Sequence, residues 1–176
     1  MDDEPEILIP LDVSDGGWDG GWTTHIDQFG REELIDKPVK IALQHVAADL
    51  ISRRTGPVTV SILLCDDLTI QDLNQRYRDK DKPTDVLSFP QFNNAEAAAQ
   101  APGPCLLGDI ILARETVMRD AKNREKSIDH HIRHLMVHGT LHLLGFDHLT
   151  DQEAEEMERL EDDILTGMGD PAPYET

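Results

Sequence analysis

The spacing of apolar residues divides the chain into short apolar runs of strand type and longer stretches of helical period. Residues 6–13 (EILIPLDV) are apolar and β-branched enough for a strand, and Pro10 confines that strand to a sheet edge or a bulge because it has no N–H to give. Residues 38–54 carry Val39, Ile41, Ala42, Leu43, Val46, Leu50 and Ile51 at helical spacing, with Pro38 suited to a first turn and Gly56 to a stop. PVTVSILLC (57–65) reads as a buried strand. Asp66 or Asp67 can cap a helix to about Tyr77, with Leu68, Ile70 and Leu73 inward. TDVLSF (84–89) and LLGDIILA (106–113) read as further strands. Between them, residues 91–104 are rich in Asn, Ala, Gly and Pro and are expected to form a flexible loop. A loop is also expected at residues 15–22, where DGGWDGGW writes one four-residue unit twice.

Helices follow to the end. Ser127 opens one that runs to about Leu144 and is stopped by Gly145. Thr150 and Glu153 make a capping box for the last, whose Ala154, Met157, Leu160, Ile164 and Leu165 face inward. The order β-α-β-α-β-β-α-α-α predicts an α+β fold: a small mixed sheet packed with about five helices. At 176 residues the chain is expected to be a single domain, 1–176, with one core.

Composition agrees with a soluble globular protein, at 39% hydrophobic and 29% charged residues. No apolar run approaches the roughly 18 residues of a membrane span. The start, Met1-Asp2-Asp3-Glu4, is acidic where a secretory signal is basic, and Cys65 and Cys105 lack a CxxC spacing; a cytoplasmic protein without a disulfide framework is expected. The net charge of −19 repels a phosphate backbone at long range. That charge is uneven, because eight acidic residues fall between Asp151 and Asp163. Elsewhere Arg76, Arg78, Lys80 and Lys82 form one basic cluster. Arg114, Arg119, Lys122, Arg124, Lys126 and Arg133 form a looser one. Alone, such runs read as solvated faces.

The chemistry concentrates in residues 138–148, HGTLHLLGFDH. Positions i and i+4 stand on one helix face, so His138 and His142 can present their imidazoles to one ion. Gly145 can adopt the left-handed conformation that ends a helix and so return His148 to the same point. Three neutral imidazoles with an open position describe a catalytic zinc site, at which the pKa of a bound water falls toward about 7. The spacing of His, His, Gly and His matches the metzincin protease signature, but the general-base glutamate of that signature is here Gly139, which disfavours peptide hydrolysis by that route. Gly139 is read instead as a place of close packing. His131 and His134 continue the same face backward; they either line a cleft and orient a ligand or are ordinary solvated or core-edge histidines. Asp147 suits an accepting role toward a ligand imidazole, or a turn cap, better than coordination.

HGTLHLLGFDH resembles the HGxLHLxGxDH signature of the YbeY family of ribosomal-RNA endoribonucleases. NQRYRDKDKPTDVLSFP (74–90), LLGDIIL (106–112) and DQEAEEME after the histidines resemble that family too, so the likeness runs from about residue 58 to 166. The resemblance implies one zinc-type ion per chain on His138, His142 and His148. It also implies single-strand-specific endoribonuclease activity in ribosomal RNA maturation, including the 16S 3′ end, and in ribosome quality control. Its implied partners are single-stranded RNA, the small ribosomal subunit and assembly factors, with neither DNA nor membrane. Arg78 matches the family's functional arginine, and a guanidinium beside a metal site can hold a scissile phosphate bidentately. A surface ion pair with Asp79 or Asp81 is its ordinary alternative. Two other functions share these residues: a metal-dependent hydrolase of peptides or amides, and a noncatalytic ribosome-assembly factor whose metal serves stability.

Overall fold

A computed structural model describes residues 5–14 and 21–174. Pro10 divides the first strand in two, β1 (Ile7–Leu8) and β2 (Leu11–Ser14), both parallel to β3 (Val58–Cys65) at a sheet edge. The edge survives the missing donor because the Pro10 carbonyl still accepts from Ile62 N–H at 2.9 Å. The strand β4 (Val86–Pro90) runs antiparallel to β5 (Cys105–Ala113), and β5 runs parallel to β3, giving the order β1-β3-β5-β4 with β2 also on β3. The sheet is therefore mixed and the fold α+β, as the element order implies.

The helices are α1 (Gly21–Phe29), α2 (Lys37–Ser52), α3 (Asp67–Arg78), α4 (Ala95–Gln100), α5 (Arg114–Asn123), α6 (Ile128–Leu143) and α7 (Asp151–Gly167). A π-helical turn, Glu32–Asp36, leads into α2. Seven α-helices among the described residues exceed the five expected: α4 lies within the expected loop 91–104, and α1 starts at the end of the expected loop 15–22 and runs on through residues without an assigned element. Gly21 and Trp22 open α1, because burying the indole outweighs the glycines' preference for a loop: Trp22 is 1% exposed and its Nε1 donates to the Cys65 carbonyl at 2.9 Å. Residues 15–20 of that segment lie outside the described residues. Within 91–104, Asn94 caps α4 by accepting from Ala97 N–H at 2.8 Å, and the alanines that follow have the highest helix propensity. In α3 the cap is Asp66, whose side chain accepts from Thr69 N–H at 2.8 Å. That phase turns Ile70 and Asn74 inward and leaves Leu68 78% exposed, correcting its inward assignment.

The inner strands bury both faces, their alternation broken once by a bulge between Thr59 and Val60. Ile110, Leu112, Ile62 and Leu64 join the main core under α2 and α6, while Ile111, Ala113 and Cys65 pack with Ile70 of α3 on the other side. Helix α6 lies against β4, β5, α2, α5 and α7, which makes it the most buried of the helices and a rigid platform for what it carries. Gly139 is where it touches β5: a Cβ there would stand 2.9 Å from Ile110 Cγ2. Close packing is thus its role. Gly139→Ala is expected to destabilise the fold by about 1–3 kcal/mol through overpacking. An unchanged denaturation midpoint would mean that Ile110 yields freely. No helix among the described residues is long and apolar enough to cross a membrane.

Candidate metal centre

Helix α6 ends in a Schellman arrangement. Gly145 N–H reaches the His142 carbonyl and Phe146 N–H the Leu141 carbonyl, each at 3.1 Å, with Gly145 at φ +96°. A side chain at 145 would also meet the Asn93 backbone at 2.7 Å, so glycine is required both by conformation and by space. The turn then carries His148 back toward the helix. His138 Nε2 and His142 Nε2 stand 3.1 Å apart, and the His148 ring centre is 5.2 Å from that of His142 and 5.9 Å from that of His138. One nitrogen from each of the three lies within 4.8 Å of the others. The three histidines expected to converge therefore do so.

The donor set also fits a divalent ion chemically. Burial, followed by the neighbouring His138 and His148, lowers the His142 pKa to about 4, so this ring is neutral at pH 7 and its lone pair is available. Beneath the centre lies Glu161 of α7, which is fully buried. Its Oε1 is 2.6 Å from His138 Nδ1 and its Oε2 is 2.6 Å from His134 Nε2; the Tyr174 hydroxyl donates to Oε2 at 2.6 Å. Burial pushes the Glu161 pKa up, but the bonds from His134 and His138 outweigh it and hold the carboxyl at about 2. An ionised carboxylate can only accept, so Nδ1 of His138 carries the proton and Nε2 faces the other ligands as a lone pair. His134 is thus one of the groups around this carboxylate. Asp147 accepts its neighbour His148's N–H at 2.8 Å, which is the turn role.

Glu161 is the functional residue that sequence reading missed, because it sits in an acidic run that reads as a solvated face. A signal was present: 157, 161, 164 and 165 form the apolar stripe of α7, and a carboxylate at a core position needs a partner. Glu161→Gln keeps the shape but supplies one acceptor in place of two. Metal affinity is expected to fall about 10–100-fold, read by competition with a chelator. An affinity within about twofold of the parent would remove Glu161 from the site.

Acid should act on this region in a defined window. His131 and His142 both have pKa values lowered to about 4 from 6.5, chiefly by burial. Below pH 6.5 the unfolded chain takes up protons that the folded chain refuses, so stability falls as pH drops from 6.5 toward 4. Thermal melts of chelator-stripped protein test this. A melting temperature flat across that range would contradict it.

Arg78 closes α3 and lines the same cleft as the three histidines, a cavity of about 770 Å³ also bordered by Lys80, Lys82 and Ser88. Its Nη2 donates to the Ser88 carbonyl at 2.8 Å and its guanidinium lies 5.5 Å from the centre of the Phe89 ring. Among the described residues it makes no ion pair with Asp79 or Asp81, so the ordinary alternative is not what the side chain does. Asn74, buried beneath it, donates to the Lys82 carbonyl at 2.9 Å and pins the basic turn. The rest of the charge is differently spent. Arg76 pairs with Asp72 at 3.0 Å. In the looser cluster Arg133 pairs with Asp170 at 2.6 Å, and Lys126 donates to the Pro173 carbonyl at 3.0 Å.

Fold and site together define a class: an α+β protein bearing an open three-histidine centre suited to one divalent ion, with an arginine-lined cleft beside it. Comparison with known proteins narrows that class. The family model for Endoribonuclease YbeY matches residues 22–169. A Rhizobium etli protein of that name is 56% identical over 119 residues, 68% of each chain. Others, from Nitrobacter winogradskyi and Bradyrhizobium sp., are 50% and 43% identical, each over 84% of this chain and over 75% and 85% of their own. The chain belongs to the YbeY endoribonuclease family.

Proposed function

We propose that this cleft hydrolyses phosphodiester bonds of single-stranded RNA, with one zinc-type ion held by His138, His142 and His148 and the phosphate held by Arg78. The observation that carries the reading is the convergence of three imidazoles and Arg78 on one cleft, bordered by Lys80 and Lys82. When bound, the ion supplies Lewis acidity, which activates water near neutral pH and offsets charge on a phosphate. The protein's own groups do the rest. Glu161 fixes the tautomer of His138. Ser88 and Phe89 fix Arg78, whose planar fork matches two phosphate oxygens. Lys80 and Lys82 hold neighbouring phosphates by screened attraction, a local counterweight to the net charge of −19.

A single strand can bend its backbone into the cleft, whereas a duplex holds its phosphodiesters at a fixed spacing on a stiff helix. The family resemblance supports ribosomal RNA as the target, including the 16S 3′ end, with the small subunit and assembly factors as partners in the cytoplasm. Gly139 speaks against peptide hydrolysis, because it offers no proton acceptor where the protease signature needs one. The deciding experiment offers purified protein a single-stranded RNA, its duplex and a peptide library, with and without chelator. Cleavage of the single strand alone, abolished by chelator, is expected. Peptide cleavage with RNA spared would select the amidase reading, and no cleavage despite bound metal would select the assembly factor.

A further inference from the structure

We propose that Asp85, Asp120 and His131 form a second divalent-cation site, separate from the three-histidine centre and independent of what the cleft cleaves. Asp85 immediately precedes β4, while Asp120 lies on α5 and His131 on α6, so a strand entry and two consecutive helices supply it. One ligand atom from each lies within 4.8 Å of the others. His131 is 1% exposed, and neither of its ring nitrogens has a hydrogen-bond partner. Buried polar groups are seldom left so, because an unmade bond in low dielectric is costly. Two carboxylates stand against it, yet no direct bond forms, which leaves room for an atom between them.

The charges point the same way. Burial keeps His131 neutral at pH 7, so the ring does not act as a cation toward the two aspartates and keeps a lone pair to donate. Only Oδ1 of Asp85 is occupied, by Val86 N–H at 2.7 Å and the Thr84 hydroxyl at 3.3 Å. Burial and then the nearby Asp85 raise the pKa of Asp120, against the opposing pull of Arg124 and Arg119. The nearby Arg119 is directed to the Thr116 hydroxyl at 3.1 Å and to Asp67 at 3.6 Å. Two carboxylate oxygens and one imidazole nitrogen suit a borderline ion such as Mn²⁺ or Zn²⁺ better than Ca²⁺ or Mg²⁺, which prefer oxygen alone.

His131 precedes His138 by two helical turns, a rise of about 10 Å at 1.5 Å per residue. Ions that share one reacting phosphate lie about 3.5–4 Å apart, so this site is not the second half of a paired-metal centre. Its effect is on the cleft wall. Asp85 borders the cleft, and an ion there cancels negative charge at its edge and ties the start of β4, which carries Ser88, to α5 and α6.

The test uses the full chain, stripped with chelator and titrated with Mn²⁺ by the loss of the free-ion spin resonance signal. A His142→Ala/His148→Ala variant, whose first centre is dismantled, is expected to retain about one saturable equivalent. Adding His131→Gln or, separately, Asp120→Asn to it should weaken that binding at least tenfold while circular dichroism stays unchanged. Absence of saturable Mn²⁺ binding in the double variant overturns the proposal, as does binding untouched by Asp120→Asn. Should His131→Gln fail to fold, the Asp120 variant and the equivalents bound by the parent chain still decide: one equivalent in the parent, under conditions that saturate it, also overturns the site.

Discussion

Replacing His142 with alanine will reduce bound metal from about one equivalent at the three-histidine centre to near zero, and RNA cleavage will fall with it by at least about 100-fold. His142 is the middle of the three imidazoles: its Nε2 stands 3.1 Å from that of His138, and its ring centre is 5.2 Å from that of His148. Without it, two imidazoles remain, one of them on an exposed turn, and two protein ligands seldom hold a zinc-type ion against water. The fold should persist. The α6 platform rests on Ile132, Met136, Val137 and Leu141, which the substitution leaves in place, and alanine has the highest helix propensity. Elemental analysis after dialysis, read as a loss of about one equivalent relative to the parent, and circular dichroism check the two halves of this expectation. A variant that keeps the metal of the parent at this centre would exclude His142 as a ligand, whatever happened to activity. His148→Ala should weaken binding similarly but disturb stability less, because its side chain is exposed.

That centre was legible in the sequence because its information is local. His138, His142, Gly145 and His148 span eleven consecutive residues, and helix period plus one left-handed glycine suffices to bring them together. The capping box of Thr150 and Glu153 is local in the same way, and it is present. What could not be read depends on tertiary contacts. Glu161 belongs to the site only because α7 packs across α6, and within its own helix it looks like any acidic neighbour. The cover for Trp22 comes from Cys65, forty-three positions away, so Gly21 and Trp22 read as loop until β3 is in place. Leu68 and Ile70 are equally apolar; the cap at Asp66 sets which of them turns inward. Placing Arg78 required either a family resemblance or the sheet, since β4 delivers the Ser88 carbonyl that orients it.

Arg78 gives the second large expected effect, and it separates catalysis from metal binding. Its guanidinium borders the same cleft as the histidines and donates to the Ser88 carbonyl through Nη2, so most of its donor fork remains for a ligand. Two parallel bonds to a phosphate strengthen as charge develops in the transition state, whereas a lysine ammonium offers a point charge without that geometry. Arg78→Lys is therefore expected to lower kcat by about 10²–10³-fold, the cost of one well-placed donor to a developing oxyanion, while KM changes little. Arg78→Glu should be slower still. Metal content should match the parent in both, because Arg78 supplies no ligand. Lys80→Gln and Lys82→Gln should behave differently, raising KM modestly and each flattening the logarithmic salt dependence of RNA binding by about 0.7, the counterion released per phosphate contact on a single strand. Arg76→Gln serves as the control, since Arg76 is paired with Asp72 and does not border the cleft. If Arg78→Glu cleaves RNA as fast as the parent, the phosphate site is misassigned, yet the three-histidine centre stands untouched, because nothing in its geometry depends on Arg78.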